Sequence, residues 1–332
     1  MALLAGFYVT WNIGANDTAN CMGTAVGGGI LSYRRAVIIV IIFVLLGVTM
    51  EGWKNMHTVG EGLVIGAGGV NPLSNAPVVI IAALLAAGMW LTAATTLGLP
   101  VSTSQAMVGS VIGAGILLSY VQPGGITASI QLNTFEAIVI SWMLNPVFAA
   151  LLAYAISRTI APLLRNIKNL ILLNRVLIAL IIAATAAAAY ALGANDVGTS
   201  TGAIYAFFGG DGTSEGFKVL IGILGGTGLA VGALTYSRRV MRTVGSGITK
   251  LDASSAFAAQ LGAAITVWSF VQLRIPVSTT QAVVGAVVGV GLVKGAKTVS
   301  GRKLGRIGVA WVLGPVITCL LSLALGWVFL GL

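Results

Sequence analysis

The sequence predicts an all-α polytopic membrane protein: two inverted-topology repeats of about five membrane segments each, with broken helices and helical hairpins meeting at the midplane. Three observations carry that prediction. First, 57% of the 332 residues are hydrophobic and only 8% are charged, against about 25% charged in a soluble domain. Second, Gly14-Ala15-Asn16-Asp17 returns as Gly193-Ala194-Asn195-Asp196, 179 residues later. Third, Pro100-Val101-Ser102-Thr103-Ser104-Gln105 returns as Pro276-Val277-Ser278-Thr279-Thr280-Gln281, 176 residues later. Two halves of one design, each with a carboxylate and a hydroxyl cluster inside apolar sequence, are the pattern of a repeat-built membrane protein.

Ten segments are apolar enough to cross or enter a bilayer: roughly 2–30, 36–53, 77–98, 101–119, 134–157, 176–208, 218–236, 254–274, 277–293 and 307–330. The first lacks the basic n-region of a signal peptide and runs straight into the Asn-Asp motif, so it reads as part of the mature protein. The first and sixth are too long for one straight helix and are expected to break at Asp17 and Asp196. The fourth and ninth are short, and each begins at a proline after an apolar run. Proline lacks a donor N–H and disfavours helical geometry in the residue before it. Both places therefore predict a helix–break–helix hairpin that dips into the membrane and returns. Residues 1–157 form the N-terminal repeat, 158–175 a basic connector, and 176–332 the C-terminal inverted repeat.

The net charge of +10 would suit a nucleic-acid partner if the basic residues shared one face. They sit instead in short loops between apolar segments, which is a topological signal. With 158–175 in the cytoplasm (Arg158, Arg165, Lys168, Arg175), Arg34, Arg35, Arg238, Arg239, Arg242, Lys250, Lys294, Lys297, Arg302, Lys303 and Arg306 fall on the same side. Only Lys54, Lys218 and Arg274 of the 18 basic residues are left over, and both termini fall outside, across a cell membrane spanned many times. An odd number of segments per half makes the second copy enter in the opposite sense, so equivalent motifs face each other. Cys21 and Cys319 lie far apart in apolar context and indicate neither a metal site nor a disulfide. His57, beside Lys54 and Glu61, is expected in a solvated outer loop; Glu51, near the end of the second span, lines an entrance or reaches water.

Asp17 and Asp196 alone among the eight acidic residues sit deep within predicted spans. An aspartate at a helix centre costs about 2.5–3.5 kcal/mol on insertion scales, and no lysine or arginine lies nearby in sequence. The preceding Gly-Ala-Asn allows a locally unwound turn in which carbonyls, Asn16 or Asn195 and the carboxylate coordinate a small cation. Capping of a half-helix is the alternative role, and the two can coexist. The triplets Ser102-Thr103-Ser104 and Ser278-Thr279-Thr280 open apolar stretches that match at 11 of 17 positions. Hydroxyls and free N–H groups at a helix start, with the helix dipole, suit an anion, and Gln105 and Gln281 add amide donors. Ordinary capping and interhelical hydrogen bonding are the alternative.

A dianion near two carboxylates with no basic side chain at that depth needs neutralisation that helix termini, at about half a charge each, cannot supply. Anion uptake coupled to Na+ or H+ follows from that inventory. A passive channel would need a continuous polar pore. An intramembrane enzyme would need a nucleophile–base pair or metal-ligand spacing, which does not accompany the Ser-Thr clusters.

These residues resemble the inorganic phosphate transporter (PiT) family of sodium- or proton-coupled symporters. Gly-Ala-Asn-Asp-Thr-Ala-Asn at 14–20 and Gly-Ala-Asn-Asp-Val-Gly at 193–198 look like its duplicated signature, and the Pro-Val-Ser-Thr copies and Arg238-Arg239…Gly247-Ile248-Thr249 are similar to it. The resemblance covers essentially the whole chain. It implies an inverted-repeat fold, often a homodimer, with inorganic phosphate bound at Asn16, Asp17, Ser102, Thr103, Ser104, Asn195, Asp196, Ser278, Thr279 and Thr280. Many relatives carry His where this chain has Gln105 and Gln281, and glutamates associated with cation coupling where it has Val44 and Gln260. Its sulfate-permease branch is similar to Trp11–Ala15 and Pro100–Ser104, which makes sulfate the alternative substrate. Monohydrogen phosphate can donate a proton to a buried carboxylate and sulfate cannot, so Asp17 favours phosphate.

Overall fold

Residues 1–27, 29–65, 73, 76–97, 101–121, 129–238, 252–295 and 301–331 are described by the computed structural model, and their apolar runs fold as helices in the predicted order. The first half contains α1 (Ala2–Asn16), α2 (Thr18–Gly27), α3 (Tyr33–Glu51), α4 (Trp53–Gly60), α5 (Pro77–Thr96), α6 (Thr103–Val121) and α7 (Leu132–Arg165). The second contains α8 (Leu170–Leu192), a π-helical turn (Gly193–Val197), α9 (Gly198–Phe207), α10 (Glu215–Thr235), α11 (Ala253–Gln272), α12 (Thr279–Lys294) and α13 (Gly301–Leu330). A two-residue antiparallel ladder joins β1 (Val64–Ile65) to β2 (Ser129–Ile130). Among the described residues, eight helical stretches are long and apolar enough to span a membrane. The other two predicted segments fall short of that length because the first is divided into α1 and α2 and the ninth is the 16-residue α12.

The breaks differ from expectation in form. Asp17 interrupts the first segment for a single residue and keeps right-handed helical geometry (φ −85°, ψ −20°), its N–H still bonded to the Ile13 carbonyl. The sixth segment does not break: it widens into one π-helical turn over the motif and continues as α9. An unwound loop would strand backbone groups in an apolar interior, whereas a π-turn re-aims side chains with little loss of hydrogen bonding. Helix also claims most of the expected connector, since α7 runs to Arg165 and α8 starts at Leu170, where Asn169 caps it by accepting from Ile171 and Leu172 N–H. His57 sits in α4, not in a loop. Pro100, Arg239, Arg242, Gly247 to Lys250 and Lys297 lie outside the described residues.

Helices α5–α6 and α11–α12 pack as two hairpins, and their partners are exchanged between halves. The first hairpin lies against α13 and the second against α7; α1 packs on α10 and α8 on α3. The first glycine of each motif makes the last two contacts possible. A Cβ on Gly14 would stand 1.9 Å from the Leu229 carbonyl oxygen of α10, and one on Gly193 would stand 2.1 Å from that of Val44 in α3. Small residues at these crossings let backbones approach where van der Waals packing holds helices together.

Candidate functional site

The two hairpin tips and the two Asn-Asp motifs meet in the buried centre of the molecule. Ser102 and Ser278 cap α6 and α12, accepting from the N–H groups of Gln105 at 3.2 Å and Gln281 at 3.1 Å. Beyond the caps, the hydroxyls of Thr103, Ser104 and Thr280 find acceptors in the core. Residues 102–105 and 278–281 are all buried, as are Asn16, Asp17, Asn195 and Asp196. The structure therefore brings every predicted site residue into the core.

The hydrogen bonds run across the halves. Asp196 accepts from Thr103 Oγ1 at 2.9 Å and Ser104 Oγ at 3.0 Å, both from the first hairpin. Asp17 accepts from Thr280 Oγ1 of the second hairpin at 3.1 Å and from Asn20 Nδ2 at 3.4 Å. The third hydroxyl of each triplet has a second acceptor on the opposite tip: Ser104 Oγ lies 2.6 Å from the Val277 carbonyl, and Thr280 Oγ1 lies 3.1 Å from that of Val101. A hydroxyl donates one proton, so each of these two serves either the opposite carboxylate or the opposite tip at any moment.

The asparagines hold the frame. Asn195 donates to the Val277 carbonyl at 2.6 Å and accepts from Val277 N–H at 3.1 Å, which pins the second tip to the π-turn. Asn16 turns to Thr95 Oγ1 at 2.9 Å on α5. Three framing residues stand outside the expected site, Asn20 among them although it ends the first signature. Asn20 bridges Asp17 and Thr280, Asn55 donates to Asn195 Oδ1 at 3.0 Å, and Asn145 donates to the Ser278 carbonyl at 2.8 Å. A lone asparagine inside an apolar span was the available signal for Asn145.

Among the described residues, Asp17 and Asp196 are the only acidic or basic side chains in the buried set, and they lie close enough for their charges to interact. Each leaves one oxygen, Oδ2, without a hydrogen-bond donor, as do Gln105 Oε1, Gln281 Oε1, Asn55 Oδ1 and Asn145 Oδ1. A buried acceptor without a donor is costly, and carboxylate and amide oxygens are the ligand type that hard cations take. No cluster of three or more His, Cys, Asp or Glu occurs among the described residues. Val44 and Gln260, at the positions of the family's glutamates, are both buried and add no charge.

The chain matches the Phosphate transporter family over residues 13–322. It is 33% identical over 322 residues to a protein of Methanocaldococcus jannaschii named as a phosphate permease, covering 97% of this chain and 95% of the relative. It is 30% identical over 385 residues to one so named in Pyrococcus furiosus, covering 94% and 91%. A solved structure described as the sodium-dependent phosphate transporter aligns with a TM-score of 0.83 at 27% identity, covering 98% of this chain and 97% of that one.

Proposed function

The chain belongs to the phosphate transporter family, and from that premise we propose that it imports inorganic phosphate by cation symport through alternating access, with Asp17 and Asp196 on the cation side and the two capped helix starts on the anion side. The observation that carries this reading is the crossed bonding: hydroxyls that would bind an anion already donate to carboxylates of the opposite half. A dianion entering this centre competes with Asp17 and Asp196 for those donors. A cation held by the orphan carboxylate oxygens neutralises the aspartates and weakens their hold on Thr103, Ser104 and Thr280. The hydroxyls, with the N–H groups that a helix start leaves unpaired, then turn to phosphate oxygens. Cation binding thus prepares the anion site, and each ligand favours the other by the same factor.

Sodium is the coupling ion we favour, because the structural neighbour is described as sodium-dependent and Asp17 and Asp196 each keep a carboxylate oxygen without a donor. The two-repeat division at 158–175, with opposite orientation of the copies across the membrane, is part of this reading and is supported by the reciprocal packing of hairpins and long helices. The sulfate alternative gains nothing from the relatives, which are named for phosphate. Uptake of labelled phosphate into proteoliposomes tests the proposal, with sodium and proton gradients imposed separately and sulfate as competitor. Accumulation under an inward sodium gradient, blocked by unlabelled phosphate and little affected by sulfate, is expected. Uptake indifferent to both gradients, or blocked fully by sulfate alone, would overturn it.

A further inference from the structure

The turn that ends α11 adopts a conformation its sequence does not favour. Arg274 has φ +59°, in the left-handed region that glycine occupies most readily. Its N–H bonds the Val271 carbonyl at 2.9 Å while Ile275 N–H bonds that of Phe270 at 3.0 Å. That pair of bonds closes a helix stop whose left-handed position is usually glycine. Arginine costs this turn the conformational freedom that glycine would give it.

The guanidinium lies over the Trp53 ring, 5.1 Å from its centroid. It lines a pocket of about 240 Å³ together with Trp53, His57, Tyr205, Glu215 and Lys218. Lys218 is balanced by Glu215 at 2.8 Å, and nearby Lys54 by Glu51 at 3.3 Å. Arg274 makes no ion pair among the described residues, so the pocket keeps one uncompensated positive charge. The short helix α4 joins this pocket to the central site. Its Asn55 donates to Asn195, its Thr58 donates to the Arg274 carbonyl at 2.7 Å, and Trp53 and His57 form the pocket wall. Lys218 and Arg274 are also two of the three basic residues that the charge pattern sets apart from the cytoplasmic loops.

Resting on the phosphate-transport reading, the geometry points to this pocket as an oxyanion-capture site, where the Arg274 guanidinium and the Lys218 ammonium receive phosphate before it passes to the hairpin tips. A guanidinium presents a planar fork of donors that matches two phosphate oxygens. The same chemistry would take a phospholipid headgroup, so the test separates the two sources.

Substitution Arg274→Gly suits the turn and is expected to leave thermal stability equal or raised. In phosphatidylcholine vesicles it should raise the KM for phosphate uptake about three- to tenfold with kcat little changed, and the gap should close toward 1 M salt. Arg274→Lys, which keeps the charge but loses the planar fork, should fall between wild type and Arg274→Gly in KM. An unchanged KM in Arg274→Gly overturns capture. So does an Arg274→Gly effect confined to losing the stabilisation that added phosphatidylglycerol gives wild type, which would assign the pocket to a lipid headgroup. The transport reading fails separately, if wild type itself does not accumulate phosphate.

Discussion

Asp252 closes the end of the second hairpin opposite its tip, outside the span that begins at Ala253. Its carboxylate accepts from Ser255 N–H and Ser254 Oγ and pairs with Lys294 Nζ, each at 2.8 Å. Burial alone would raise its pKa, but the Lys294 ammonium and the serine donors outweigh burial and hold the group well below the usual carboxylate range. A depressed folded-state pKa gives stability that is fully present above the unfolded value of about 3.9 and is lost as pH falls through the folded value. Asp252→Ala should therefore lower the melting temperature at pH 7, with loss of the cap worth about 1 kcal/mol, and the gap from wild type should narrow below about pH 4. A gap independent of pH would contradict this. The charge of buried residues was legible in the sequence for a related reason: an aspartate in an apolar run has no cheap place in lipid, so Asp17 and Asp196 were expected in the protein interior, where the structure buries both. Their partners were not legible. That Thr280 serves Asp17 and Thr103 serves Asp196 depends on how the halves interlock, and Arg274 as a left-handed helix stop has no pattern signal at all.

At the scale of elements, the apolar runs gave the order of the helices and most of their ends, but missed the end of α7 at Arg165 and the starts of α8 at Leu170 and α13 at Gly301 by six to eight residues; the prolines and triplets marked where the two hairpins turn. The motif geometry was misread in one respect: Gly-Ala-Asn reads as a turn former, yet helix packing on both sides keeps the chain helical at Asp17 and Asp196 and permits only a one-residue hitch and a π-turn. Close crossing is the constraint that the glycines answer. Gly193→Ala would place its Cβ 2.1 Å from the Val44 carbonyl oxygen, and forcing α8 from α3 should cost about 1–3 kcal/mol. Gly216→Ala in α10, where a Cβ would meet nothing within 4 Å, is the control. It should be neutral or gain up to about 1 kcal/mol from helix propensity. Thermal unfolding of the purified variants checks both, and equal stability of the two would contradict the close-packing account. The short α4 escaped prediction because eight residues leave little periodicity to read, although this helix supplies Asn55 to the centre.

For the whole molecule, the exchanged contacts matter most. Each hairpin leans on the long helix of the other half, and each triplet bonds the carboxylate of the other half, so the halves cannot rock apart without breaking bonds at the site itself. Membrane character was legible from composition, and the duplicated motifs named the residues that meet at the centre; the exchange of contacts needed the folded chain. On the proposed function it would make cation and anion binding one event, because the aspartates hold the hydroxyls that an incoming phosphate would need. Equilibrium binding of labelled phosphate to the purified protein as a function of sodium concentration tests this most directly, with Asp17→Asn and Asp196→Asn beside wild type. Phosphate affinity should rise at least tenfold, about 1.4 kcal/mol, as sodium saturates wild type, and should lose most of that dependence in both variants. Equal phosphate affinity with and without sodium at any pH, or full sodium dependence in both variants, would contradict the account.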